Sequence, residues 1–129
     1  MTKIAVIGAG PGGYEAAIRA AQMGAEVVLI EADRPGGTCL NRGCIPTKTL
    51  WKNAEIMENI HRKAEFGLLM DECKIDPIRL NERKCEVVEK IVGGVEFLIG
   101  SYPNIEYLKG FGSFVDSHKI HVKLNDGSE

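Results

Sequence analysis

The chain has 129 residues, 44% of them hydrophobic, which suffices for one domain with a single core and leaves no room for a second. Its 16 basic and 18 acidic residues are interspersed and give a formal net charge of -2. This balance excludes the basic field of a nucleic-acid surface, so we expect neither nucleic acid nor a membrane as partner.

The opening segment is not expected to be an export signal. It is apolar, but Glu15 and Arg19 interrupt it, and a signal peptide keeps a longer continuous apolar region. No apolar run reaches the roughly 18 residues that a membrane-spanning helix needs. The chain is therefore predicted to be cytoplasmic, where glutathione and thioredoxin keep ordinary thiols reduced.

A strand, a helix and a second strand are predicted at the start of the chain. Residues 3–8 (KIAVIG) form an apolar run typical of a parallel strand buried on both faces. A helical pattern follows from Gly12 to Gly24, and EVVLIE at 26–31 predicts a second buried strand. The apolar positions of the helix are Ala16, Ala17, Ala20 and Met23. This order predicts a βαβ unit with a right-handed crossover.

Three glycines in the turn of this unit spell G-x-G-x-x-G. Gly8 permits the tight turn, Gly10 lets the backbone approach a pyrophosphate, and Gly13 allows close packing of helix on strand. The helix start presents N–H groups and a positive dipole end to phosphates. Glu31, which ends the second strand, is placed to bind ribose hydroxyls, the alternative being a solvated strand-end carboxylate. Because a carboxylate repels a 2′-phosphate, the pattern favours FAD or NAD over NADP.

Two of the four cysteines lie close together in the segment GGTCLNRGCIPTK at 36–48. Cys39 and Cys44 can be a structural disulfide, half of a metal site or a redox pair. A structural disulfide is not expected in the cytoplasm, where thiols are kept reduced. Zinc sites need four ligands, usually with cysteines two to four residues apart, whereas Cys73 and Cys85 stand far off. We therefore predict no metal, and a redox pair that needs an electron acceptor nearby.

A long helix is predicted after the cysteines, from about Thr47 to Phe66, with Pro46 in its first turn and an end near Gly67. Its apolar face is expected to hold Leu50, Ala54, Met57, and Ile60 or His61. Both cysteines would then lie at a helix start, where the dipole favours a thiolate. A disulfide between them closes a short ring that adds little stability, which suits a bond that is repeatedly broken.

A second long helix is predicted from Pro77, capped by Asp76, toward Gly100. Its expected apolar face comprises Ile78, Leu80, Cys85, Val88, Ile91, Val92 and Val95. Cys85 on that face and Cys73 in the preceding loop are interpreted as structural thiols.

Strands are predicted in the last quarter of the chain. NIEYLKG at 104–110 resembles a strand, and residues 112–124 resemble the arms of a hairpin. His118 and His121 alternate with apolar residues, so we expect both on the solvent face and neither as catalyst. The final LNDGSE is a turn signal that no return strand follows, so we expect an incomplete domain.

Three segments together resemble one family. GAGPGGYEAA, VVLIE and GGTCLNRGCIPTK are similar to the flavin-dependent pyridine nucleotide-disulfide oxidoreductases. Leu40 and Ile45 bring the cysteine segment nearer to the lipoamide enzymes than to the glutathione or mercuric reductases, where valines are commoner. The resemblance implies an α/β, Rossmann-like FAD-binding fold with parallel strands, two long helices and a C-terminal antiparallel hairpin. Residues 1–129 would be the N-terminal part of the FAD domain, without the NAD-binding and interface domains.

The resemblance also implies the site. FAD would lie at the glycine turn and Glu31, with Gly37, Thr38 and Lys48 near its ribityl, pyrophosphate and isoalloxazine portions. The segment GFGSF would bring Gly112 close to the adenine. Cys39 would be the thiol that exchanges with substrate, and Cys44 would be the thiol against the flavin.

The intact enzyme implied by the resemblance is a dihydrolipoamide dehydrogenase. It would oxidise dihydrolipoyl groups of 2-oxoacid dehydrogenase or glycine cleavage complexes, pass the electrons through FAD to NAD, and form a homodimer. The 129-residue chain alone is expected to be inactive, with one edge of its first strand unpaired. The alternatives are a fragment of another flavin disulfide reductase and a noncatalytic dinucleotide-binding module.

Overall fold

A computed structural model of the chain describes residues 1–128. The elements in chain order are β1 (Lys3–Ile7), α1 (Pro11–Gln22), β2 (Glu26–Glu31), α2 (Gly37–Arg42), α3 (Cys44–His61), a 3-10 helix (Lys63–Phe66), α4 (Pro77–Gly100), β3 (Ile105–Phe114) and β4 (Ile120–Leu124). The four strands form one sheet in the order β1-β2-β3-β4. The predicted α/β class, with two long helices and a C-terminal hairpin, is confirmed.

The parallel part of the sheet comprises β1, β2 and the first half of β3. Val6 pairs with Leu29, and Val27 pairs with Ile105 on the other side of β2. The second half of β3 turns antiparallel to β4, with Gly112 opposite Val122. One long strand therefore joins the βαβ unit to the hairpin, and the carboxyl ends of β1 and β2 lie beside the point where β3 changes partner.

The core lies between one face of this sheet and two helices. Val27 and Leu29 of β2 are almost completely buried, and their neighbours include Ala17 and Ala21 of α1. On α4 the buried residues are Val88, Val92, Val95 and Ile99. Helix α4 is therefore held to the βαβ unit by apolar burial, at about 25 cal/mol per Å² of apolar surface removed from water.

The first strand is less buried than its sequence predicted. Ile4 and Ile7 remain 37% and 42% exposed, and Val6 is the half-buried member of the strand. An apolar run identifies a strand but does not decide what covers it. Among residues 1–128, β1 lies at the edge of the sheet with β2 as its one neighbour, so a strand expected to be buried on both faces is open. The expected unpaired edge is present.

Helix α3 differs from its prediction in start, end and orientation. It begins at Cys44 rather than Thr47, and after His61 the chain continues as a separate 3-10 helix. Thr49 is the buried residue, whereas Leu50 is 42% exposed. The Thr49 hydroxyl donates a hydrogen bond to the carbonyl of Ile45 at 2.9 Å, so its burial leaves no unpaired donor. In the first half of α3 the inner face is thus rotated by one residue relative to the predicted one, whereas Met57 and Ile60 are half-buried as predicted.

The predicted start of α4 is confirmed, but its predicted apolar face is too long. The Asp76 carboxylate accepts the N–H groups of Ile78 and Arg79, both at 3.0 Å. Ile78 itself is 72% exposed, and the thiol of Cys85 is exposed rather than packed. Cys73 is half-buried, with its sulfur 3.9 Å from that of Met57. The first turns of α4 contain no buried residue. The apolar periodicity of the sequence there therefore does not indicate a face packed against the core.

Two smaller expectations also need correction. In α1 the buried alanines are Ala17 and Ala21, while Ala16 is exposed and Met23 is 74% exposed. His118 is exposed in the β3–β4 turn, but His121 is half-buried on β4 opposite Ser113.

Among residues 1–128, no helix is long and apolar enough to cross a membrane.

We predict that truncation of an apolar side chain on α4 destabilises the protein only where that side chain is buried in the core. Ile99→Ala removes a side chain that is 1% exposed, and we expect it to lower the free energy of unfolding by about 2 to 5 kcal/mol. Ile78→Ala on the same helix is the matched control, with an expected change within about 0.5 kcal/mol. Urea unfolding of both variants measures the difference. Equal losses in the two variants would contradict the observed packing face.

Candidate functional site

The glycine turn between β1 and α1 is tightly packed. Gly8 has a φ of +96° and donates its N–H to the carbonyl of Ile30 at 2.7 Å, which ties the turn to β2. A side chain at Gly13 would collide with the carbonyl oxygen of Gly8. Gly8 and Gly13 therefore have the structural roles predicted for them: one takes a conformation that favours glycine, and the other lets the helix approach the turn.

The start of α1 is suited to an anion. Gly10 is the N-cap residue and Pro11 follows it, and no side chain caps the helix. A helix of 12 residues carries its positive dipole end and its first N–H groups at this point. No acidic residue occurs in the first turn, so the helix itself places no carboxylate where a phosphate would bind.

Glu31 is hydrogen-bonded rather than simply solvated. One carboxylate oxygen accepts the N–H of Ala9 at 2.7 Å, and the other accepts the N–H of Asp33 at 2.9 Å. The side chain thus connects the glycine turn with the loop that leaves β2. Each carboxylate oxygen can accept more than one hydrogen bond, so both retain capacity for a hydroxyl donor.

A second glycine pair brings the cysteine segment against the turn. Gly36 and Gly37 have φ values of +94° and +57°, and the N–H of Gly36 donates to the carbonyl of Ala9 at 2.7 Å. A Cβ at Gly37 would lie 2.9 Å from the Cα of Gly10. The two backbones therefore meet at a distance that only glycine allows, and the segment predicted to carry redox chemistry lies beside the segment predicted to bind a dinucleotide.

Cys39 and Cys44 form a disulfide with their Cα atoms 4.7 Å apart, within the usual range for such bonds. Cys39 is half-buried in α2 and packs against the edge of the core. Cys44 is exposed and is the first residue of the 18-residue helix α3. The expectation that both cysteines lie at one helix start is therefore wrong, because Cys39 belongs to a short helix that the sequence analysis missed, and a break at Gly43 separates this helix from α3. Only Cys44 has the dipole of a long helix behind it.

Three further predicted residues lie around this pair. Thr38 is exposed on α2, and Lys48 is exposed on α3 one turn after Cys44. Within residues 1–128 the Lys48 ammonium has no hydrogen-bond or ion-pair partner. A Cβ at Gly112 would lie 3.3 to 3.4 Å from side-chain atoms of Ile30 and Ile7. Gly112 thus adjoins the carboxyl ends of β1 and β2, where the glycine turn begins.

Some residues around the site were not predicted. Asn41 donates to the carbonyls of Pro35 and Gly37, and Arg34 forms a two-fold hydrogen bond with Glu89 at 2.8 and 2.7 Å. That bond raises the pKa of Arg34 and lowers the pKa of Glu89. The pair spans 55 residues, so no local pattern in the sequence indicates it. Asn41 follows Gly37 by one helical turn, and that spacing was an available signal.

Within residues 1–128, no group of three or more His, Cys, Asp or Glu side chains is placed to hold a metal ion. Cys73 and Cys85 are free thiols and lie outside the disulfide.

Comparison with known proteins identifies relatives. The family model described as pyridine nucleotide-disulphide oxidoreductase matches residues 2–128. Dihydrolipoyl dehydrogenase of Geobacillus stearothermophilus is 41% identical over 128 residues, which are 99% of this chain and 27% of that protein. Dihydrolipoyl dehydrogenase of Chlamydia pneumoniae is 49% identical over 117 residues, 91% of this chain and 25% of that protein. The chain thus spans about a quarter of the length of the curated relatives it matches.

Solved structures show the same similarity. LpdA from Mycobacterium tuberculosis matches with a TM-score of 0.88 at 26% identity, covering 99% of this chain and 29% of that one. The HOCl-induced flavoprotein disulfide reductase RclA from Escherichia coli, in its Cu(II) complex, matches with a TM-score of 0.76 at 32% identity. That alignment covers 95% of this chain and 25% of RclA.

We predict that thiol mapping of the oxidised protein distinguishes the cysteines of this chain. Alkylation before reduction should label Cys73 and Cys85, and alkylation after mild reduction should add Cys39 and Cys44, because that pair is bonded in the structure and the other two thiols are free. Peptide mass spectrometry reads the labels. A bridge to Cys73 or Cys85 would overturn the assignment.

Proposed function

Because the chain belongs to the pyridine nucleotide-disulphide oxidoreductase family, we propose that it is the N-terminal FAD-binding and redox-disulfide portion of a dihydrolipoyl dehydrogenase. The observation that supports this most directly is the contact between Gly10 and Gly37. It holds the Cys39–Cys44 disulfide beside the turn suited to a pyrophosphate. A noncatalytic dinucleotide-binding module would have no need of a disulfide at this place.

The residues present fit FAD. The backbone at Gly37 has no room for a side chain beside Gly10, and the absence of a side chain at Gly10 suits a close approach of phosphate to main-chain N–H groups. Glu31 would bind the ribose hydroxyls, and Gly112 leaves the surface over Ile7 and Ile30 open to the adenine. Thr38 and Lys48 would contact the ribityl chain and the isoalloxazine. FAD, when bound, supplies an acceptor for a pair of electrons.

The two cysteines have different chemical roles in this proposal. A dihydrolipoyl thiolate attacks the sulfur of Cys39, which breaks the Cys39–Cys44 bond, forms a mixed disulfide and releases Cys44 as a thiolate. The second substrate thiol, after losing its proton, attacks the mixed disulfide, releases Cys39 and leaves as the cyclic lipoyl disulfide. The substrate has lost two electrons, and the protein disulfide has become two thiols or thiolates.

The position of each sulfur favours attack at Cys39. Exchange is faster when the leaving thiolate is more stable. Cys44 is the first residue of an 18-residue helix, whereas Cys39 is the third residue of a helix of six residues. The helix dipole therefore stabilises a thiolate at Cys44 more than one at Cys39. Exposure alone favours attack at the more accessible Cys44, and a flavin seated against Cys44 would remove that access.

The intact protein would pass the electrons through FAD to NAD and act on dihydrolipoyl groups of 2-oxoacid dehydrogenase or glycine cleavage complexes. In this proposal it is a cytoplasmic homodimer with neither nucleic acid nor membrane as partner. A second candidate is a flavin disulfide reductase with another substrate, which the 32% identity to RclA favours. Steady-state assays of the protein at its natural length with dihydrolipoamide and NAD, and in parallel with other disulfide substrates, distinguish the two.

We predict that Glu31→Gln weakens FAD binding about tenfold, because the ribose loses a charged hydrogen-bond acceptor worth about 1.5 kcal/mol. Glu26→Gln at the other end of β2 is the matched control, since that side chain pairs with Lys3 on the surface. Titration with FAD, followed through the fluorescence of the single tryptophan Trp51 on α3, measures both. Equal affinity in the two variants would contradict the ribose role.

We predict that Cys44 in a Cys39→Ser variant reacts with iodoacetamide at pH 7 several-fold faster than Cys39 in a Cys44→Ser variant. The reason is the larger thiolate fraction at the start of α3. Peptide mass spectrometry separates these sites from Cys73 and Cys85. The ratio should shrink well above pH 8.5, about the pKa of a free cysteine, because both thiols are then ionised. A ratio that stays constant with pH would show that exposure, not the dipole, is the cause.

A further inference from the structure

The side-chain amide of Asn41 connects the disulfide ring to the loop before it. Its Nδ2 donates to the carbonyl of Gly37 at 2.9 Å and to the carbonyl of Pro35 at 3.1 Å. Asn41 lies between Cys39 and Cys44 in sequence, so the amide belongs to the ring that the disulfide closes. The carbonyls that it binds belong to the loop whose glycines touch the dinucleotide turn.

The orientation of this amide follows from its partners. Two carbonyl oxygens can be satisfied only by the two hydrogens of an NH₂ group, and the reversed amide would place an oxygen against both. The Oδ1 atom then points inward, where it is buried and accepts no hydrogen bond from any residue of 1–128.

The bonds of Asn41 restrain a segment with an unusual backbone. Gly36 and Gly37 are both in the positive φ region, a conformation with many alternatives for glycine. Fixing the carbonyls on either side of Gly36 limits these alternatives, and it holds the start of α2 in place. Cys39 is the third residue of α2, so the same bonds determine where its sulfur lies relative to Cys44.

We propose that Asn41 is a positioning residue that sets the reduction potential of the Cys39–Cys44 pair. This inference rests on the proposed redox function of the disulfide. Asn41 restricts the dithiol form, which lowers the entropy lost when the S–S bond closes and shifts the equilibrium toward the disulfide. Without its amide, α2 gains freedom in the dithiol form. The disulfide then becomes easier to reduce, and its potential becomes less negative.

The test is equilibration of the protein at its natural length with dithiothreitol buffers at pH 7. One dithiothreitol gives its electron pair and two hydrogens to the disulfide, which becomes two thiols, and leaves as its own cyclic disulfide. Alkylation followed by peptide mass spectrometry counts the thiols at Cys39 and Cys44 without reference to activity. We expect Asn41→Leu to shift the equilibrium about tenfold toward the dithiol, which corresponds to about 30 mV for two electrons.

Two further variants make the result specific. Asn41→Ser retains a donor that can reach the carbonyl of Gly37 one turn back, so its shift should lie between those of the wild type and Asn41→Leu. Asn53→Leu is the matched control, because Asn53 is also half-buried and donates to a carbonyl one turn back, that of Thr49, but outside the ring. Its equilibrium should stay within about twofold of the wild type, about 9 mV for two electrons.

The outcomes separate the inference from the function on which it rests. An Asn41→Leu equilibrium within twofold of the wild type, or an equal shift in Asn53→Leu, overturns the positioning role and leaves the proposed function standing. If Asn41→Leu fails to fold, the comparison of Asn41→Ser with Asn53→Leu decides in the same way. A wild-type disulfide that does not exchange with dithiothreitol at all overturns the proposed function and the inference with it.

Discussion

The candidate site depends on the approach of one glycine backbone to another. Gly37 lies against Gly10, and the neighbouring N–H of Gly36 donates to the carbonyl of Ala9. Any side chain at Gly37 would separate the two segments, and every side chain placed by them would move with that separation. Glu31 reinforces the contact, because its carboxylate accepts one hydrogen bond from the glycine turn and one from the loop after β2. A nucleotide turn and a disulfide thus form one local unit.

This unit adjoins the part of the molecule that supplies most of its apolar burial. The core lies between β2 and the helices α1 and α4, and the unit reaches it through the buried side chains of Ala9 and Leu40, with Cys39 packed at its edge. Closing a ring as short as that between Cys39 and Cys44 restricts the unfolded chain by about 2 kcal/mol in the chain-entropy model. Truncation of a single core residue costs a similar amount or more, about 2 to 5 kcal/mol. The disulfide therefore contributes no more to the free energy of unfolding than one core side chain does.

The sequence predicted those features that local chemistry decides. The βαβ unit, the Asp76 cap and the turn at Gly8 follow from residues within a few positions of one another, and the structure confirms them. Features decided by distant packing were missed or misplaced. The predicted face of the first half of α3 was wrong by one residue, because packing against α2 and α4 buries Thr49 rather than Leu50. The exposure of β1 depends on which elements lie beside it in the sheet. The residues of the strand itself do not indicate those neighbours.

The separation of the two cysteines illustrates why geometry was needed for chemistry. In the sequence they share one segment, and a single helix start accounted for both. The structure divides them between two helices with the break at Gly43, where the backbone cannot continue α2 into α3. A Cβ at Gly43 would lie 3.1 Å from the carbonyl oxygen of Thr38, so the break is itself a close approach. Because the break sets the start of α3 at Cys44, it gives one sulfur the dipole of a long helix and leaves the other without it. This difference between two otherwise identical groups favours thiol exchange in which Cys39 is attacked and Cys44 leaves as the thiolate.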